Sequence, residues 1–229
     1  MKKVLLSISF LLITTLNYSQ NSKIKFGVQG GLNYSNFWGY EIPIDFNAVY
    51  SESPAFAYLG GLNLEYQIQD RLSLKLELNY ERKSQKGDNY IEVRQNFESL
   101  PQAYNFTTKK NYDYLVLPIL LKYSFSDQNS FYVNGGPFIG LLLKSNLTND
   151  LQNIDGLNND PVETTNLNKK TDFGLSIGVG KTFEINERNA IFIEIRENLG
   201  LTNTSKEQVW GDGQVKTNSL NLIVGYSLN

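Results

Sequence analysis

Apolar and polar residues alternate with a period of two over most of the chain, and few folds can use such a pattern. In SLKLELNYE, residues Leu72, Leu74, Leu76, Leu78 and Tyr80 share one face, and Ser73, Lys75, Glu77, Asn79 and Glu81 share the other. A helix would scatter them around its axis, whereas a strand sends successive side chains to opposite faces. The pattern returns in Ile24, Phe26, Val28, Leu32 and Tyr34, and again in Phe56, Tyr58, Leu62, Leu64, Tyr66 and Ile68. It continues in Phe173, Leu175, Ile177, Val179 and Phe183, in Ile191, Ile193 and Ile195, and in Leu220, Leu222, Val224, Tyr226 and Leu228. With YDYLVLPILLKYSF and FYVNGGPFIGLLLK added, eight strands are expected.

The connections between these strands alternate in length. Gln69 to Arg71, Ser126 to Ser130 and Ile185 to Asn189 are short and turn-like, while Trp38 to Ser53, Ser84 to Asn111, Ser145 to Thr171 and Thr202 to Lys216 are long and polar. A soluble sandwich has no reason to gather every long loop at one end. An outer-membrane barrel does, with short periplasmic turns, long external loops and an even strand number.

The two faces agree with that reading. The polar faces carry Glu65, Lys75, Glu77, Lys122, Glu194 and Arg196, too many charges for a dry apolar core, and the aliphatic faces have no second layer to pack on. An eight-stranded antiparallel up-and-down transmembrane β-barrel, polar inside and apolar toward lipid, satisfies both. Aromatic residues near strand ends, among them Tyr34, Phe37, Trp38, Tyr40, Tyr80, Tyr112, Tyr123 and Phe125, suit interfacial girdles.

At the amino terminus, Lys2 and Lys3 precede the apolar run Val4 to Ile13, and Ser19 is suited to the last position before a cleavage. Residues 1–19 are therefore expected to be a signal peptide and 20–229 the barrel domain, since about ten apolar residues are too few to span a bilayer as helix. Without Lys2 and Lys3 the chain holds 19 basic and 23 acidic residues, a net charge of −4. That balance offers no basic footprint for nucleic acid. Cysteine and histidine are both missing from the sequence, which removes a cysteine nucleophile, thiolate metal sites, the commonest general base and the commonest metal ligand.

KFGVQGGLNYSNF, YLVLPILLKYSF, FYVNGGPFIGLLL, FGLSIGVGKTF and NLIVGY together resemble the PorT-like outer-membrane β-barrel family, from about Lys23 to Asn229. The Pro118 to Tyr123 and Gly135 to Pro137 segments carry most of the resemblance, which implies an outer-membrane location. The family's namesake acts in a protein secretion system. Terminal barrel strands commonly finish on an aromatic residue, whereas this chain ends Tyr226-Ser227-Leu228-Asn229.

Two motifs invite other chemistry. GVGKT, Gly178 to Thr182, resembles the end of a phosphate-binding loop, but Leu175 stands where the first glycine is required and a strand follows. Gly174, Ser176, Gly178 and Gly180 read better as a small inward face that leaves room for large neighbours. The stretch Asn146 to Glu163 is rich in Asp and Asn but lacks the spacing of a calcium loop. No metal or cofactor is expected.

Pairing Ile68 with Leu72 across the first turn sets Glu65 beside Lys75, so Glu65, Lys75, Glu77 and Lys122 are expected to cluster in the lumen near its periplasmic end, with Glu194 and Arg196 in reach. The cluster reads either as an ion pathway or as neutralisation of a filled interior. Pairing Phe125 with Phe131 sets Pro118 beside Phe138, close to Gly135, Gly136 and Pro137. These four residues are expected to form a kink or bulge shared by two strands. The functional expectation is a non-enzymatic, monomeric outer-membrane protein that meets lipid and a partner in envelope or secretion machinery. A narrow small-solute channel, a membrane enzyme and a secreted soluble ligand-binding barrel are the alternatives.

Overall fold

The computed structural model describes residues 23–41, 50–93, 102–126, 130–150, 160–209 and 212–228. The expected signal peptide lies outside them. Eight long strands form the barrel: β1 (Ile24–Trp38), β2 (Tyr50–Gln69), β3 (Leu72–Val93), β4 (Gln102–Ser124), β5 (Phe131–Asn149), β7 (Thr171–Asn186), β8 (Asn189–Gly200) and β9 (Lys216–Leu228). A two-residue β6 (Val162–Glu163) and a 3-10 turn (Thr165–Leu167) cap the outside of the β5–β7 connection. Around the ring the order is β4-β3-β2-β1-β9-β8-β7-β5, every neighbour antiparallel, and pairing of β4 with β5 closes it. Closure removes the unpaired edges that an open sheet would expose.

The apolar face points outward. Phe56 is 68% exposed and Ile177 69%, and most outward-facing aliphatic residues of the barrel strands are exposed with them, while Lys83, Glu194 and Asn221 are fully buried inside. A soluble ligand-binding barrel would be the reverse. Rings border the belt at both ends: Tyr34 on Phe56 (4.8 Å) and Tyr58 on Tyr80 (6.0 Å) above, Tyr123 on Phe125 (5.6 Å) below. Lys216 covers Trp38 at the upper rim, and Lys181 lies over Phe131 and Phe183 at the lower one. No helix among the described residues is long and apolar enough to cross a membrane; the crossing elements are strands.

Not every aromatic joins the girdles. Phe37 and Tyr112 pack inside, ring to ring at 4.6 Å, in an apolar layer with Tyr114, Val116, Phe138 and Leu142. Phe37 has the odd-numbered parity of Asn33 and Ser35, both buried, so the alternation itself turns it inward.

Much of the expected loop Ser84 to Asn111 is strand. The β3–β4 ladder runs on from Arg82↔Asp113 to Val93↔Gln102, well past the end of the apolar belt. Both faces of this extension are polar or mixed, so the alternation that marks a membrane strand is lost although the backbone pairing continues. Near Arg82 the sheet is irregular, with register shifts between Pro54 and Leu59 on β2 and beside Asp113/Tyr114 between β4 and β5. The first of these bulges reverses parity on β2, so Tyr50 and Glu52 above it face inward, onto the side of Asn89 and Gly87. Residues 50–54, 83–93 and 102–111 therefore stand beyond the apolar belt, where the outward faces have turned polar or mixed.

Of the expected kink or bulge at Pro118, the bulge is not what forms. The β3–β4 ladder passes from Leu76↔Ile119 to Asn79↔Val116, and the β4–β5 ladder from Pro118↔Phe138 to Leu121↔Gly135, each with a gap but no change of register. The hydrogen-bond phase explains the gaps. Ser124 N donates to Arg71 O at 2.8 Å, and steps of two from there bring Pro118 opposite Glu77 in a bonded position. Phe125 N donates to Phe131 O at 2.9 Å, which by the same stepping makes Pro137 the missing donor to Ile119. Each proline deletes one bond toward β4's neighbour or toward β4 itself, and no extra residue is needed. Instead of bulging, the strands pinch: a Cβ added at Gly136 would lie 2.0 Å from Ile119 O.

Candidate functional site: the charged lumen

Below the bulges, the lumen side chains come from the odd-numbered residues of β1, β2, β3 and β9 and the even-numbered residues of β4, β5, β7 and β8, as the alternation requires. At the lower end Lys122 Nζ lies 2.8 Å from Glu65 and 4.4 Å from the Tyr132 ring. Glu65 is directly opposite Lys75 on the next strand, which leads to the next layer.

Glu77 is the centre of that layer. Both guanidinium nitrogens of Arg196 donate to its two oxygens at 2.7 Å, and Lys75 Nζ approaches at 2.8 Å. Gln29 and Asn79 each donate to Glu77 Oε2 at 2.8 Å, and Asn63 supports Gln29 at 3.0 Å. Arg196 also holds Glu194, which accepts from the Tyr132 hydroxyl at 2.8 Å and lies 3.5 Å from Lys75. Because β3 and β8 are opposite each other in the ring, the Glu77–Arg196 pair is a strut across the full width of the barrel. Bidentate charge-assisted bonds of this kind fix geometry as well as charge.

All six expected lumen residues thus sit inside: Lys75, Glu77, Glu194 and Arg196 in one network, Glu65 and Lys122 as a pair beside it. Two further groups lie outside the expected cluster. Higher up, Lys83 Nζ is 3.2 Å from Asp172 and 2.8 Å from the Thr217 hydroxyl, which donates to Asp172 at 2.6 Å. Lys83 also lies 4.9 Å from the Phe138 ring. Glu81 accepts from Ser219 (2.7 Å) and Asn198 (3.2 Å). Unbroken parity along SLKLELNYERK places Glu81 and Lys83 inward, so the signal was present. The second group is at the mouth, where Glu52 accepts from Tyr40, from Tyr50 (2.6 Å), from Gln85 (3.0 Å) and from Lys110 (2.8 Å). Only the bulge on β2 turns Glu52 inward, and alternation cannot reveal it.

Glycine makes room for the largest lumen residues. A Cβ at Gly180 would strike the Tyr132 ring at 2.4 Å, and one at Gly174 the Phe138 ring at 2.4 Å. The glycines of GVGKT and its preceding residues therefore serve packing, on a strand with no helix after it. Among the described residues no group of acidic side chains has the arrangement of a metal site.

These features can be set beside known proteins. The family model described as outer membrane protein beta-barrel domain matches residues 18–206. Among solved structures, the chain is similar to neisserial surface protein A, at 13% identity and a TM-score of 0.45, covering 90% of this chain and 97% of that one. It is similar also to the outer membrane protein OprG of Pseudomonas aeruginosa, at 13% identity and a TM-score of 0.39, covering 91% and 98%. A third is the outer membrane protease OmpT of Escherichia coli, at 8% identity and a TM-score of 0.40, covering 90% and 96%. No curated protein matches the sequence. With the family model spanning most of the chain, this protein belongs to the outer membrane protein beta-barrel domain family.

Proposed function

We propose that the protein is a sealed, non-enzymatic, monomeric barrel that works by contact, its external strands and loops engaging a protein partner in envelope or secretion machinery. The observation that carries this reading is the Glu77 strut, where Arg196 from the opposite strand, Gln29 from β1, and Lys75 and Asn79 from β3 itself converge on one carboxylate. A conducting path would need mobile or unpaired groups at that level. Here the charges are bound to one another, and an eight-stranded interior has room for little else.

The fixed pairing also disfavours catalysis by carboxylates, which requires a substrate within hydrogen-bond reach. The β3–β4 extension and its neighbours on β2 and β5 offer an ordered surface outside the membrane. The resemblance to PorT-like barrels, whose namesake acts in secretion, favours a partner of that kind.

Planar-bilayer recording is the direct test. The wild-type protein is expected to give no conductance steps; stable, reproducible steps would support the small-solute channel instead. Crosslinking in intact envelopes should then give a specific adduct that is lost when the β3–β4 extension is shortened.

A further inference from the structure

Just above the upper aromatic girdle, the outer face of β3, β4 and β5 carries four cations. Arg82, Asp113 and Lys144 are ladder neighbours in the first row; Ser84, Asn111 and Asn146 form the next, and Lys86, Lys109 and Thr148 the third. Arg82 grips Asp113 with two bonds of 2.6 and 2.9 Å and lies 5.5 Å from the Tyr58 ring, so the one carboxylate of these rows is committed and its cation is fixed at girdle height. Lys86 and Lys144 are exposed, and Lys109 is half-buried.

Lys86 and Lys109 face each other directly across the ladder. Like charges in that position weaken a strand pair, so their juxtaposition asks for an anion. Lys109 is held toward the membrane, its Nζ 3.3 Å from the Phe56 carbonyl, which the bulge on β2 leaves without a partner on β3. Burial, Lys86 and Arg82 together lower its pKa, as expected of a cation short of counter-charge. Interfacial aromatic rings mark the level of lipid headgroups. The Arg82 row is the next outward row above Tyr80, and Lys109 reaches down to the backbone of Phe56, itself a girdle residue, so these cations lie at the level of headgroup phosphates.

We propose that Arg82, Lys86, Lys109 and Lys144 form a docking surface for a net-anionic lipid headgroup of the outer leaflet that bears a terminal phosphate. Charge complementarity and height select this occupant over a protein. The inference rests on membrane insertion with the long connections outward, and not on the protein partner proposed above.

The test is native mass spectrometry of the full folded chain released from detergent, with phosphatidic acid or phosphatidylcholine at equal concentration. Phosphatidic acid is expected to be retained preferentially, and the double variant Lys86→Gln, Lys109→Gln to weaken its binding by about thirtyfold, the effect of two cations at a charged headgroup. Lys181→Gln, at the opposite girdle, is expected to change it less than about twofold. Heat-modifiable migration reports whether the variants remain folded. Equal retention of the two lipids, unchanged binding in the folded double variant, or an equal loss in Lys181→Gln would overturn the proposal. So would displacement of the lipid by millimolar inorganic phosphate, which would indicate a site for the free anion, or a dimer lost in the variant, which would assign the face to a second copy.

Discussion

Glu77 and Glu81 stand four residues apart on one face of β3, yet their surroundings give them opposite expected responses to neutralisation. Glu77 balances Arg196 and Lys75. With Glu77→Gln the two cations share only Glu194, and breaking a buried pair in this way costs about 3 kcal/mol or more. Glu81 is bound by two neutral donors. Among the described, most deeply buried lumen residues, Glu77, Glu81, Glu194 and Asp172 outnumber Lys75, Lys83 and Arg196 by one, so Glu81→Gln removes an excess charge. Its effect is expected to stay within about 1 kcal/mol, the scale of one neutral hydrogen bond. Urea unfolding of the two variants in detergent checks the contrast; equal losses would contradict it. At the mouth, burial opposes ionisation of Glu52, but Lys110 and the Tyr40 and Tyr50 hydroxyls overcome it and hold the carboxyl below its ordinary value. Burial and the same carboxylate push both tyrosines up. A depressed carboxyl contributes stability above its unfolded pKa and loses it as pH falls through the folded one, so the mouth cluster should persist through the ordinary carboxylate range and loosen only in stronger acid. A carbon-13 titration of the Glu52 carboxyl with its midpoint at or above 4.5 would sink this reading.

Strands four and five show how far an element can be read from its sequence. The register could be: index sums set by the turns predict Glu65 beside Lys75 and Pro118 beside Phe138, and both pairs are present. The response of the backbone could not, because a missing donor can be met by a bulge or by a gap, and the choice depends on how closely the neighbouring strand can approach. Gly136 allows that approach. The expected consequences separate the two residues. Pro118→Ala restores an N–H facing Glu77 and is expected to be tolerated, with a change under about 1 kcal/mol. Gly136→Ala places a methyl group where Ile119 O now stands, and backbone must shift, at a cost of about 1–3 kcal/mol as in other overpacked sites. Thermal loss of the compact gel band ranks the two variants; the reverse order would mean that the ladder, and not the close approach, limits this part of the barrel. The observed register shifts, by contrast, are not marked by the alternation, although Pro54 stands at one of them. Two lie at Pro54/Leu59 and Asp113/Tyr114, where the sheet leaves the apolar belt, and two at Gln67/Gln69 and Glu184/Asn186, beside short turns.

At the scale of the molecule, lipid inverts the usual burial rule, and this inversion made the barrel legible: aliphatic faces with nothing to cover them, charged faces with nowhere to go but inside. Outside the membrane both faces meet water, the contrast vanishes, and so did the reading of Ser84 to Asn111 as a loop. The structure divides at the same height. Below Arg82 every strand is tied to its neighbours and to the lumen struts; above Gly87↔Thr108 the β3–β4 hairpin is supported mainly by its own ladder and by flanking residues of β2 and β5. The lumen pairs of Glu77, Glu81 and Lys83 all lie below that level. Replacing residues 88–107 by a two-residue Asn-Gly turn, a sequence suited to closing an antiparallel pair, should therefore leave the barrel able to fold. The shortened chain is expected to keep heat-modifiable migration and a urea midpoint close to that of the intact protein, while Glu77→Gln lowers the midpoint in both. If shortening the hairpin abolishes the compact form, the external strands are part of the folding core, and a surface devoted to partners would have to be sought elsewhere on the barrel.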